Sequence, residues 1–205
     1  PFIRRIRSMV VPLTASSSLS PRSSVDDGMV FACNASSDAL SVRQPRMLYT
    51  ADLGYRLRST HGDALLDGTS AASCRSVYSQ HELARLRGLG FGQQMADVAG
   101  TLDGSVVGSA SAYATTEDGL VMDCVVQPVQ ECPPAADVGV PAHGLAVLAM
   151  STTAPSWGDA RRMQFLFASG WLPVVVDVDE WRAAGDDIGQ QQGILKTRID
   201  DVLGM

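Results

Sequence analysis

The chain has 205 residues, 45% of them hydrophobic and 19% charged, with a formal net charge of −6. That length supports one ordinary domain burying roughly 70% of its unfolded surface, so neither disulfides nor a structural metal is needed to hold it together. The composition excludes a wholly disordered chain, and the best apolar run, Leu145 to Met150, falls far short of the roughly 18 residues of a membrane span.

Charge is unevenly laid out. Residues 1–25 contain Arg4, Arg5, Arg7 and Arg22 and no acid, a local +4, which leaves twelve basic against 22 acidic residues, net −10, on residues 26–205. The same 25 residues hold seven serines, with Ser16-Ser17-Ser18 at their centre, and have little capacity to form a core. They are expected to form an extended basic arm that takes a shape only through contacts with its own body or with neighbours. Phe2, Ile3 and Ile6 add apolar anchors around Arg4, Arg5 and Arg7, and these six residues are the arm's candidate interaction residues. An Arg- and Ser-rich, acid-free segment is also how an organellar targeting sequence reads, and the opening Pro1 is read as following either initiator removal or processing. The acidic remainder argues against a broad nucleic-acid face on the body, so any nucleic-acid contact is expected through the arm alone.

Residues 26–205 are expected to form a single α+β domain, mainly antiparallel sheet with a few peripheral helices. Met29 to Cys33 reads as a first strand. From Met47 the residues Met47, Tyr49, Ala51, Leu53, Tyr55 and Leu57 share one parity, which predicts a half-buried strand or tight strand pair. Ser79-Gln80-His81-Glu82 reads as a capping box opening a short helix that stops at Gly88. Gly88-Leu89-Gly90-Phe91-Gly92 is glycine-rich but follows a helix rather than a strand, the wrong order for a phosphate-binding turn, so it reads as a helix stop and connector. Ser105 to Ala114 and Leu120 to Gln127 are strands joined by Thr115 to Gly119, where Asp118-Gly119 supplies the positive φ of a hairpin turn. Leu145 to Thr152 is a further strand. Ser156-Trp157-Gly158-Asp159 opens a helix that stops at Gly170, and Leu172 to Val178 returns as a buried strand. The last helix runs from about Ile188 to Leu203, with Ile188, Leu195, Ile199 and Val202 on one seam. Leu195, Ile199 and Val202 are candidate interaction residues, since such a seam docks on its own body about as readily as on another subunit.

The chemistry-bearing residues are scattered. Val174-Val175-Val176-Asp177-Val178-Asp179 resembles, over six residues, the strand end where haloacid-dehalogenase-like phosphatases keep a nucleophile and an acid. The Gly-Thr of that pattern is missing and Trp181 stands where a small residue is expected, so a strand end followed by a short helix from Asp179 to Ala184 explains the same letters. His61, His81 and His143 have no shared metal spacing. Cys33, Cys74, Cys124 and Cys132 form no C-x-x-C pair, which leaves Cys124 and Cys132 as buried free thiols or a cross-hairpin pair. Trp157, Trp171 and Trp181 are expected to anchor the core.

No catalytic motif, cofactor site or metal site emerges. The expectation is a non-catalytic structural or assembly subunit of a large complex, most concretely a virion or capsid-associated protein whose arm clasps neighbouring subunits, homo- or hetero-oligomeric. An accessory subunit of an organellar complex with a retained targeting-like N-terminus is the alternative. A small hydrolase using Asp177, Asp179 and His143 is the third.

Overall fold

The computed structural model describes residues 43–56, 64–134, 142–154 and 156–204, the side chains of Arg43 and Trp157 excepted. The arm with Phe2, Ile3, Arg4, Arg5, Ile6 and Arg7, the strand expected over Met29 to Cys33, and His61 lie outside the described residues.

Among the described residues three helices come first: α1 (Arg43–Arg56), α2 (Gly68–Leu89) and α3 (Phe91–Ala99). They are followed by β1 (Val107–Ala112), β2 (Cys124–Pro128), β3 (Leu145–Met150), α4 (Trp157–Ala168), β4 (Leu172–Asp177), α5 (Val178–Ala184) and α6 (Ile188–Leu203). The four strands form one mixed sheet in the order β1-β2-β3-β4, antiparallel except for the β3–β4 pair that α4 connects. The fold is α+β, as the sequence predicts, with helices on both faces of the sheet.

Strand periodicity decides which residues face which layer. Cys124 and Val126 of β2, Leu145 and Val147 of β3, and Leu172, Val174 and Val176 of β4 point to the face covered by α3, α6 and Trp181. Val125, Ala146 and Leu148 point the other way, to Tyr49 and Leu53 of α1, Cys74 of α2 and Leu166 of α4. All six residues of β3 are buried, which is why this central strand reads as an unbroken apolar run. Each fully buried Leu or Val contributes about 1.5–3 kcal/mol, so β3 is the spine of the fold.

The hairpin forms as expected. Thr115 bridges Val121, and Gly119 turns the chain at φ 76° while its amide donates to the Thr116 carbonyl. The tip then docks on α2, where a Cβ on Gly119 would lie 2.5 Å from Ser79 Oγ. Ser156 caps α4 by accepting from the Asp159 amide, as its sequence pattern predicts. The α6 seam is used within the chain: Leu195, Ile199 and Val202 are buried in the core beneath α6, while Ile188 at its start is exposed. Cys124 and Cys132 are both buried free thiols.

Three expectations are corrected. The segment from Met47 is helix α1, not a strand. In a helix, residues two apart project to nearly opposite sides and residues four apart share one, so the single parity class splits into Tyr49 and Leu53, which are buried, and Met47, Ala51 and Tyr55, which are exposed. The box at Ser79 to Glu82 is helix interior, because α2 begins eleven residues earlier at Gly68, where Asp67 Oδ1 accepts from the Thr69 and Ser70 amides. The connector at Gly88 to Gly92 is a single left-handed residue, Gly90 at φ 78°, which ends α2 and starts α3.

Candidate functional site

The strand-end acid Asp177 is fully engaged. Its Oδ1 accepts from the Asp179 and Glu180 amides at 2.8 and 3.1 Å, capping α5, and its Oδ2 accepts from the Thr152 amide at 2.8 Å and from the Thr152 hydroxyl. The Thr152 hydroxyl and amide bonds lead in holding its carboxyl down to about 2. Asp179 is exposed and pairs loosely with Arg182 at 3.6 Å. His143 precedes β3 and packs its ring on Trp171, with its amide bonded to the Gly170 carbonyl. Because β3 and β4 run parallel, His143 and Asp177 sit at opposite ends of the sheet, about 20 Å apart along six-residue strands. The structure therefore does not bring the three hydrolase candidates together.

It assembles a different set. α1, α2 and α4 enclose a half-open cavity of about 600 Å³. Arg46, Met47, Thr50 and Ala51 come from α1, Tyr78, Glu82 and Arg85 from α2, and Asp159, Arg161, Arg162 and Phe165 from α4. Helical spacing makes the wall, since Glu82 and Arg85, and Asp159 and Arg162, are pairs three apart that share a face.

Glu82 lies at the centre. Arg46 Nη2 donates to its Oε1 at 2.8 Å and Arg85 Nε to its Oε2 at 2.9 Å, while Arg46 Nη1 lies 3.2 Å from His81 Nε2. Burial alone would raise the Glu82 carboxyl, but Arg85, Arg46 and Arg162 together hold it below its ordinary value. Beneath it, Arg162 is only 3% exposed and donates through Nη2 to Asp123 Oδ2 at 3.0 Å, an oxygen that also accepts from the Ala149 amide at 3.3 Å. Burial outweighs the guanidinium at Asp123, whose carboxyl is pushed up. Asp159 spans the two layers, 3.7 Å from Arg85 and 3.6 Å from Arg162. Burial, reinforced by Glu82, pushes the Tyr78 hydroxyl up to about 12, so it stays protonated at neutral pH.

The network is not internally complete. Arg46 Nε and both Nε and Nη1 of Arg162 are buried without a hydrogen-bond partner, against one such oxygen among the three acids, Asp123 Oδ1. The cavity presents the partly exposed Arg46 and Arg85 guanidinium groups above the buried Arg162–Asp123 pair, with an apolar flank of Met47, Ala51 and Phe165. Sequence reasoning missed this site; the visible signal was the repeated acid-x-x-Arg spacing at Glu82 and Asp159.

Met47 and Ala51 also belong to an outward stripe on α1. Met47, Ala51 and Tyr55 are spaced four apart, and Leu48 lies beside them within about 100° of arc; Met47 is 61% and Tyr55 44% exposed. Among the described residues no helix is long and apolar enough to cross a membrane, and no His, Cys, Asp and Glu cluster could hold a metal ion. Comparison with protein-family models, curated proteins and solved structures finds no match for this chain.

Proposed function

We propose that this chain is a non-catalytic assembly subunit of a larger complex, most concretely a virion or capsid-associated protein whose N-terminal arm clasps neighbouring subunits. The observation that carries the reading is the α1 stripe of Met47, Leu48, Ala51 and Tyr55. Isolated exposed apolar residues are ordinary, but a contiguous row along one helix edge marks a surface that another chain covers. The stripe follows the basic leading segment in sequence, so both contact elements fall within the first 56 residues. The acidic body of one subunit, net −10 over residues 26–205, is a complementary target for the +4 arm of the next.

The test is native mass spectrometry of the full chain beside its Met47→Glu/Tyr55→Glu variant. Both positions are exposed, so the variant keeps its melting temperature while losing its association with other subunits. A wild-type chain that stays monomeric, with residues 1–25 protected from protease, overturns the proposal.

The Arg- and Ser-rich, acid-free composition of residues 1–25 favours a second reading, an accessory subunit of an organellar complex. Mature chains isolated from cells and beginning near residue 25 would select it over arm-mediated clasping.

A further inference from the structure

We propose that the cavity between α1, α2 and α4 binds a small molecule through an oxyanion, a phosphate or carboxylate group seated between Arg46 and Arg85 above the buried Arg162, with the apolar remainder against Met47, Ala51 and Phe165. This goes beyond an assembly role, because it needs no second subunit.

Size, donors and charge carry the inference. A volume of about 600 Å³ lies within the range of ordinary small-ligand sites and far above that of a single water. Each guanidinium carries five N–H donors in a planar fork. Glu82, Asp159 and Asp123 engage part of this supply, and the buried partnerless nitrogens, Arg46 Nε and Arg162 Nε and Nη1, outnumber the one partnerless carboxylate oxygen. The local imbalance is therefore a surplus of hydrogen-bond donors.

Arg46 and Arg85 keep about a third of their side-chain surface, so they are the reachable forks, while Arg162 lies beneath them as a fixed buried charge. An oxyanion between the two reachable forks accepts charge-assisted hydrogen bonds, the strongest class these side chains make. Tyr78 borders the same space. A cation has no comparable seat, since each acid facing the cavity already lies beside an arginine.

The experiment is calorimetric titration of the full-length chain with phenyl phosphate, benzoate and neutral phenol. Saturable binding of either anion, weakening as salt rises, is the expected result, and the stronger of the two identifies the oxyanion. Arg85→Gln is expected to lower affinity by about tenfold or more, and Arg46→Gln serves as an independent variant if Arg85→Gln loses its cooperative melt. The proposal is overturned if neither anion saturates by about 10 mM, if phenol binds as well as phenyl phosphate, or if folded Arg46→Gln and Arg85→Gln bind like the wild type.

Discussion

Replacing Asp177 with alanine tests the reading of this residue as a structural acid. The variant loses the cap on α5, worth about 1 kcal/mol, and strands the Thr152 amide, worth about 1 kcal/mol more. The depressed carboxyl reflects the same hydrogen bonds: its fall from an ordinary 3.8 to about 2 sets, at about 1.36 kcal/mol per unit, an upper limit of about 2.4 kcal/mol that solvent screening reduces. A group whose value is depressed by folding stabilises the native state above its unfolded value and ceases to do so as pH falls through its folded one. Denaturant unfolding of Asp177→Ala at pH 7 should therefore show a loss of about 2 kcal/mol. The gap to wild type should narrow between about pH 4 and pH 2. Asp177→Asn retains one acceptor for the α5 amides but turns donors toward Thr152, so it should fall between the two and titrate less. A loss below about 0.5 kcal/mol, or a gap that stays constant down to pH 2, would refute this account.

The same Gly→Ala change should have opposite signs at two helical positions. A Cβ on Gly92 would lie 2.3 Å from the Asp123 carbonyl oxygen and 2.5 Å from the Tyr113 ring, and Gly92→Ala should cost about 1–3 kcal/mol in thermal or denaturant unfolding. Gly88, exposed on α2 with nothing within 4 Å of such a Cβ, should instead gain about 0.5–1 kcal/mol as alanine. Arg162→Met leaves Asp123 buried without its ion-pair partner and should lose about 3–5 kcal/mol, most of it recovered in Arg162→Met/Asp123→Leu, which a double-mutant cycle measures.

How much of this was legible in the sequence depends on whether a residue's role is set locally. The strands β1 to β4, the Gly119 turn, the Ser156 cap and the extent of α6 all follow from neighbours within a few positions, and each is found where its pattern indicates. α1 misled because its apolar residues serve two opposite surfaces. Tyr49 and Leu53 enter the core while Met47, Ala51 and Tyr55 face outward, and together they imitate strand alternation. The start of α2 was hidden by Thr69, Ser70, Ser73 and Ser76, small polar residues with no apolar rhythm. α3 was concealed by the glycines around it, although Gly92 is there to let the helix approach the hairpin backbone. The charged cavity was illegible for a different reason. Its three acids and principal arginines come from α1, α2, α4 and the residue preceding β2, and only tertiary packing brings Arg162 under Glu82 and onto Asp123.

The sheet's spatial order is also its order along the chain, with each new strand added beside the last. Among the described strands, none has to be threaded between two that have already paired. A polypeptide leaving the ribosome can accordingly lay down the hairpin, extend it by β3, and complete the far edge with β4 once α4 has emerged, without undoing any earlier pairing. Synthesis from the N-terminus and growth of the sheet then proceed in one direction, away from the β1 edge and toward β4.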